Sequence, residues 1–236
     1  QKAILINQAV TKGLNSNAPM RDSGVEWIGE IPKHWEVKRI GFLTNLLQTG
    51  PFGSQLHQED YIEGGIPVIN PSQIIDGEIQ PDYKISVSEK TASQLARHKF
   101  IEGDIVFGRR GEMGRCGLVS AEQSGWLCGT GSILFRPNKD LINPEFALVA
   151  LRCDFMKSTL EFISVGATMD NLNTSILSKV SVPLPSKKEQ IEVIQEVQEI
   201  TKQYSFLTNR ELTVINLLNE LKQIMIAQAV TGKIKI

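Results

Sequence analysis

The stretch from Lys99 to Val119, "KFIEGDIVFGRRGEMGRCGLV", holds the densest set of side chains able to grip an anion. Arg109, Arg110 and Arg115 stand among Gly108, Gly111, Gly114 and Gly117, which recur every third residue. Such glycines permit sharp turns and close backbone approach. An arginine presented there can pair with a phosphate or fork onto a guanine edge. The competing reading is a hairpin with solvated arginines. Three polar loops offer related chemistry. The first, "QTGPFGSQ", supplies Gln48, Thr49, Gly50, Ser54 and Gln55. The second, "NPSQ", supplies Asn70, Ser72 and Gln73, and the third, "GATMDNLN", supplies Thr168, Asn171 and Asn173. Asn and Gln can bond adenine bidentately, while Ser, Thr and backbone N–H groups suit phosphates. Each loop alone says little, because turns are rich in these residue types anyway.

The common catalytic patterns are missing. His34, His57 and His98 are far apart and lack partners at zinc-ligand spacing, so no metal is expected. There is no phosphate-cradling G-x-x-x-x-G-K-[ST] loop and no G-x-S-x-G elbow, and no cofactor is expected. Gly129-Thr130-Gly131 begins like a dinucleotide fingerprint, but Leu134 stands where its third glycine belongs. Asn143-Pro144-Glu145-Phe146 is similar to the Asn-Pro-Pro-Tyr/Phe signature of adenine-N6 methyltransferases. Glu145 replaces the second proline, and neither a leading hydrophobic strand nor a Gly-rich cofactor loop precedes it. The segment reads better as a helix start, with Asn143 as N-cap and Pro144 at the first helical position.

Composition narrows the class. The chain has 236 residues, 41% of them hydrophobic and 22% charged, which fits a globular protein with a sizeable core. No apolar run approaches the roughly 18 residues of a membrane span. Cys116, Cys128 and Cys153 form no C-x-x-C pair and leave an odd thiol, which points to a reducing cytoplasm. A net charge of −1 argues against a nucleic-acid binder that is basic throughout. A local excess exists, since seven bases face four acids between Lys84 and Arg115.

These side chains need a scaffold. Residues 36–183 alternate short β-like runs with Gly/Pro/Asn turns. Strands are expected at Ile66–Asn70, Asp104–Gly108, Cys116–Val119, Ser132–Arg136 and Val180–Pro183, and helices at Ser88–His98 and Pro144–Phe162. Helices among hairpins predict an α+β domain. Residues 17–35 read as a linker, pinned to the domain by Trp27 and Trp35.

From Lys187 to Thr231 the chain has no Gly or Pro. Ser186 and Glu189 form a capping box, and Gly232 supplies the stop. A heptad register places Val197, Tyr204, Leu218 and Met225 at one seam position and Ile200, Leu207, Val214 and Leu221 at the other, as in a coiled coil. Strictly, the first row also takes Glu211 and the second Gln228. The helix would run roughly 65–70 Å at 1.5 Å per residue. Thr208-Asn209-Arg210-Glu211 is a second capping box where it could break.

The chain opens on "ILINQAVTKGL" at Ile4 and closes on "IMIAQAVTGKI" at Ile224, an offset of about 220 residues. The opening therefore reads as the end of a matching helix in a tandem repeat of domain plus helix. With Gln1 in place of Met, the chain is expected to be processed or part of something longer.

Together, "DSGVEWIGEIPKHWEVKRI", "GDIVFGRRGEMGRCGLV", "GATMDNLNTSILSKVSVPLPSKKEQ" and the repeated "QAVT" resemble the specificity (S) subunits of type I restriction–modification enzymes. The resemblance implies two tandem units, each a target recognition domain followed by a long helix, with the helices paired antiparallel. It implies double-stranded DNA as ligand, each domain reading one half of a split sequence. It implies partners that carry the catalysis: methyltransferase (M) subunits and a restriction (R) subunit. On this reading residues 1–16 end a preceding helix, 17–35 link, 36–185 form the target recognition domain, and 186–236 form the helix. Its partner would be a helix of the other half or of a second copy. Two other readings stay open. One is a fragment of an adenine-N6 DNA methyltransferase or a fused restriction–methylation enzyme. The other is a coiled-coil adaptor that touches only protein.

Overall fold

The computed structural model describes residues 1–112, 114–164 and 172–231, with backbone alone for 161–164. It begins with helix α1 (Lys2–Lys12), strands β1 (Met20–Asp22), β2 (Glu30–Pro32), β3 (Glu36–Arg39) and β4 (Thr44–Thr49). Short strands β5 (Tyr61–Ile62), β6 (Ile66–Ile69), β7 (Ile74–Ile75), β8 (Glu78–Ile79) and β9 (Ser86–Val87) follow, then α2 (Glu89–Gln94). Next come β10 (Ile105–Gly108), β11 (Cys116–Leu118), β12 (Leu127–Cys128) and β13 (Ser132–Pro137). The chain closes with α3 (Pro144–Arg152), α4 (Asp154–Ser164), α5 (Thr174–Lys179), β14 (Ser181–Leu184) and α6 (Lys187–Val230). The expected α+β domain with a long terminal helix is what forms.

The central sheet is antiparallel, in the order β11-β10-β13-β4. Its middle strands carry uninterrupted apolar runs, Ile105-Val106-Phe107 and Ile133-Leu134-Phe135, because both faces are covered. Side chains alternate across a strand. Ile105, Phe107, Ile133 and Phe135 therefore join Phe146, Leu151, Met156 and Leu160 of the helices in one core. Val106 and Leu134 face the other way, onto Ile69, Ile74, Phe100 and Cys128. A second sheet, β12-β6-β9-β5, lies on that side and packs Val68, Val87 and Leu127 against Ala92 and Leu95. Asp104, fully buried just before β10, accepts two 2.8 Å hydrogen bonds from the Arg136 guanidinium on β13. It also accepts from the backbone N–H of Ile101 at 2.8 Å, which closes the turn into β10.

Local signals and tertiary contacts together set the helix ends. Asn143 Oδ1 accepts from the Glu145 N–H at 2.8 Å, so "NPEFAL" is a capped helix start. The expected helix Pro144–Phe162 is instead two helices. Cys153 between them has extended backbone, and the Asp154 N–H donates to Asn7 Oδ1 of α1 at 3.3 Å. Helix α2 is likewise shorter than expected and passes into a turn of 3-10 helix at Ala96–His98. The segment expected as a linker folds into the β1–β2 hairpin.

Helix α6 is continuous through Thr208, whose hydroxyl bonds back to the Tyr204 carbonyl at 2.9 Å. The expected Gly232 stop lies outside the described residues. The start of α6 is the joint of the molecule. Ser186 and Glu189 form the expected capping box. Glu189 also accepts from Trp35 Nε1 at 3.0 Å and meets His34 Nε2 at 2.7 Å. Trp35 is buried beneath Gly13, while Trp27 stays exposed. Gln190, fully buried, accepts from the Asn143 N–H and donates to the Leu141 and Pro185 carbonyls. At the far end of α1, Gln1 meets the Tyr204 hydroxyl at 3.4 Å. The two helices therefore run antiparallel. Of the expected seam, Val197 and Ile200 are buried and Tyr204 is half-buried, whereas Leu207, Val214, Leu218, Leu221 and Met225 are each about half exposed.

Burial of Glu189 raises its pKa, but hydrogen bonds from His34, Trp35 and Ser186 outweigh that and hold it at about 2. A depressed folded-state pKa gives stability that is fully present above the ordinary value of 4.5 and is lost as pH falls toward about 2. Replacing Glu189→Gln should cost about 1–2 kcal/mol near neutrality, allowing for its partial exposure. Urea melts should show the gap between wild type and variant closing as pH drops through that window. A gap that is constant with pH would count against the carboxylate as the source.

Candidate nucleic-acid interface

Loops far apart in sequence meet at one end of the central sheet. Strand β4 runs out at Thr49, and the Gly50 N–H donates to the Ser132 carbonyl at 3.0 Å. Backbone then stacks on backbone. A Cβ on Gly50 would lie 1.9 Å from the Gly129 carbonyl oxygen, and one on Gly129 would lie 2.3 Å from Asn70 Oδ1. No side chain fits at either position. The Gly129 N–H and the Ser132 hydroxyl both donate to the Ile69 carbonyl, at 2.8 and 2.9 Å. The Arg109 N–H donates to the Gly131 carbonyl, and the Leu172 N–H to the Arg109 carbonyl, each at 2.9 Å. Arg115 Nη1 donates to the Pro71 carbonyl at 3.2 Å. The segments 48–50, 70–73, 108–112, 114–115, 129–131 and 172–173 thus share one edge.

Several expected contact residues hold this edge together. Gln73 is 4% exposed, and its Oε1 accepts from the Asn70 N–H at 2.7 Å. It braces the turn and does not face outward, a correction to its place among base-reading candidates. Gly50 is likewise buried, and its part is close packing. Arg115 is bound to Pro71 and, at 3.3 Å, to Glu112, which also pairs with Lys157 of α4 at 3.1 Å. Those pairs, Lys157 foremost, lower the Glu112 pKa. Asn173 caps α5 by accepting from the Ile176 N–H at 2.9 Å. Arg109 spends its Nε on the Leu172 carbonyl at 3.1 Å, and burial together with the Arg110 charge lowers its pKa. Thr168 and Asn171 lie outside the described residues.

Other candidates remain available to a ligand. Arg110 is exposed and makes no hydrogen bond or ion pair among the described residues. Ser54, Gln55 and Ser72 are exposed, though Gln55 Oε1 receives the Phe52 N–H at 3.4 Å. Thr49 and Asn70 are half-buried, with the Gly131 N–H aimed at Asn70 Oδ1 at 3.5 Å. Gln48 is half-buried and bonds Arg97 through both ends of its amide. Sequence reasoning missed Thr130, exposed at the tip of the 129–131 turn. Its signal was the Gly-Thr-Gly triplet, considered above only as an incomplete dinucleotide fingerprint. The edge offers an arginine, amides and hydroxyls on a braced backbone, a set suited to phosphates and base edges.

Among the described residues no acid–base or nucleophilic centre is assembled at this edge. Burial pushes the Cys116 and Cys153 thiols up to about 12 and raises Cys128 as well, so none is a ready thiolate. Among the described residues no group of three His, Cys, Asp or Glu could hold a metal ion. No helix there is long and apolar enough to cross a membrane. A groove of about 600 Å³ lies elsewhere, lined by α1, α3 and α6 residues including Ile6, Val149, Arg152 and Val197.

Comparison with known proteins gives a consistent picture. The family model "Type I restriction modification DNA specificity domain" matches residues 32–223. The putative type I restriction enzyme MjaX specificity subunit of Methanocaldococcus jannaschii is 26% identical over 193 residues, covering 80% of this chain and 44% of that one. The type I restriction enzyme EcoBI specificity subunit of Escherichia coli is 27% identical over 207 residues, covering 86% and 43%. The chain thus spans less than half the length of either relative. The crystal structure of the HsdS subunit from Thermoanaerobacter tengcongensis shares the fold with a TM-score of 0.64 at 18% identity, over 99% of this chain and 51% of that one.

The contact between Gly50 and Gly129 predicts a steep penalty for the smallest side chain. Gly50→Ala forces backbone apart and should destabilise by about 3 kcal/mol, the upper end for overpacking. Urea denaturation measures it, and an unchanged midpoint would mean that the two backbones are not in contact.

Proposed function

The chain belongs to the type I restriction modification DNA specificity family, and on that premise we propose that it is a non-catalytic DNA-reading module. It reads one half of a split double-stranded target through the edge built from residues 48–55, 70–73, 108–112, 114–115, 129–131 and 172–173. The observation that carries this is the convergence of these loops at one edge, where Arg110 is exposed and makes no hydrogen bond or ion pair among the described residues. Methylation and cleavage belong to methyltransferase and restriction subunits that the module orients. A net charge of −1 fits a subunit that leaves part of the phosphate contact to such partners.

The second half of the reading concerns α6. Beyond Tyr204 its apolar side chains, Leu207, Leu218, Leu221 and Met225 among them, stand about half exposed. An apolar seam of that length is stable in water only when covered. Its partner is a second helix of the same kind, from the other unit of a full-length subunit or from another copy. The antiparallel seating of α1 on the start of α6 supports that arrangement.

The decisive experiment replaces residues 36–185 in the intact subunit with the matching domain of a relative, and maps adenine methylation in a host that lacks its own. One half of the split motif should change and the other half stay. A motif that ignores the exchange would overturn the DNA-reading proposal and favour a protein-only adaptor. Substituting Arg110→Ala should weaken binding by about 1–3 kcal/mol and relax one position if the guanidinium forks onto a guanine. Uniform weakening across sequences would assign Arg110 to a phosphate instead.

A further inference from the structure

Phe52 is 61% exposed, although both ends of its loop are firmly seated. On one side Pro51 is buried and Gly50 is pressed against Gly129. On the other, Leu56 is buried in the second core with Val68, Val87 and Leu127. The loop then returns to the second sheet at Tyr61, which pairs with Val87 of β9, the strand next to β6. The segment therefore arches out between two anchored ends. Its tip is pre-shaped. The Phe52 N–H donates to Gln55 Oε1 at 3.4 Å, and the Gln55 N–H to the Phe52 carbonyl at 3.3 Å. The residues that follow, Gly53, Ser54 and Gln55, are all exposed and offer the ring no apolar cover. The ring stands in water on a braced turn next to the proposed DNA-contacting edge, its apolar surface open to a ligand there.

We propose that Phe52 is a wedge that enters the DNA duplex beside the recognised half-site and partly unstacks one base step. The inference rests on the DNA-reading proposal above and adds a mechanical component to it. Apolar side chains on such turns are inserted between base pairs by proteins that bend DNA, and the unstacking cost is offset by the extra surface the bent duplex wraps. The cost is smallest at pyrimidine–purine steps, so the wedge reads deformability at a position that no hydrogen bond contacts. Arg110, Ser72 and Thr130 on the proposed edge fix the register on phosphates and base edges.

The test uses the intact subunit with its methyltransferase partner and duplexes carrying the motif found by methylation mapping. A fluorescent aminopurine is placed at successive steps across the half-site. Wild type should raise its emission at one step. Phe52→Ala should abolish that rise and slow methylation of the motif by roughly tenfold, the motif itself being kept. Phe52→Leu, still an apolar wedge, should retain most of both. The proposal fails if wild type unstacks no step, or if Phe52→Ala leaves emission and rate unchanged. It also fails if Phe52→Ala changes one letter of the motif with emission unaltered, since the ring then touches a thymine methyl. A domain exchange that shifts half the motif while Phe52→Ala does nothing would refute the wedge and leave DNA reading intact.

Discussion

The close approach of backbone at Gly50, Gly129 and Asn70 is the constraint on which the proposed interface depends. Two sheets can bring their loops to one edge only if the strands that carry them nearly touch there. A Cβ at Gly50 or Gly129 would sit within 2.3 Å of a backbone or amide oxygen. With glycine at both positions, the Ile69 carbonyl can accept from Gly129 and Ser132 together. That links β6 of one sheet to β13 of the other. Once those two are fixed, the Asn70–Gln73 turn has a single place to go, and Arg109 and Arg115 attach the remaining loop to it.

Rigid support beneath an adaptable edge suits recognition by hydrogen bonds. Groups held by packing lose little freedom when a ligand arrives, so more of the contact energy appears as affinity. The division among the arginines follows this logic. Arg109 and Arg115 are bound to backbone carbonyls and to Glu112, while Arg110 between them stands clear. Under the proposed function, varying the exposed residues would change what is read without disturbing what holds them. A sequence-reading module needs that separation if its specificity is to diverge while its scaffold stays.

The long helix solves a different problem. Its first turns are tied to the domain through Glu189, Gln190, Trp35 and α1, so its direction is set by the domain itself. Its remaining length is an apolar seam standing free in this chain. If a second helix covers that seam as proposed, anchoring α6 at one end would transmit the orientation of the domain to that partner.

Sequence alone determined what depends on neighbours along the chain. The strands at Ile66, Ile105, Cys116 and Ser132, the caps at Asn143 and Ser186, and the long helix are local in origin. Periodicity and capping chemistry act over a few residues, so the chain displays them directly. The family resemblance was legible for the same reason, in ordered short motifs. Tertiary structure decided which polar residues support and which face outward. Gln73, Arg115 and Asn173 look like binding residues by type, yet each is engaged by a backbone group or side chain that folding brings near. At the break at Cys153 the Asp154 N–H is met by Asn7 of α1, more than a hundred residues away in sequence. The exposure of Thr130 and Phe52 depends on where Gly129 and Leu56 are buried. Hydrogen bonding and burial are long-range consequences of folding, and residue type fixes only the capacity for them.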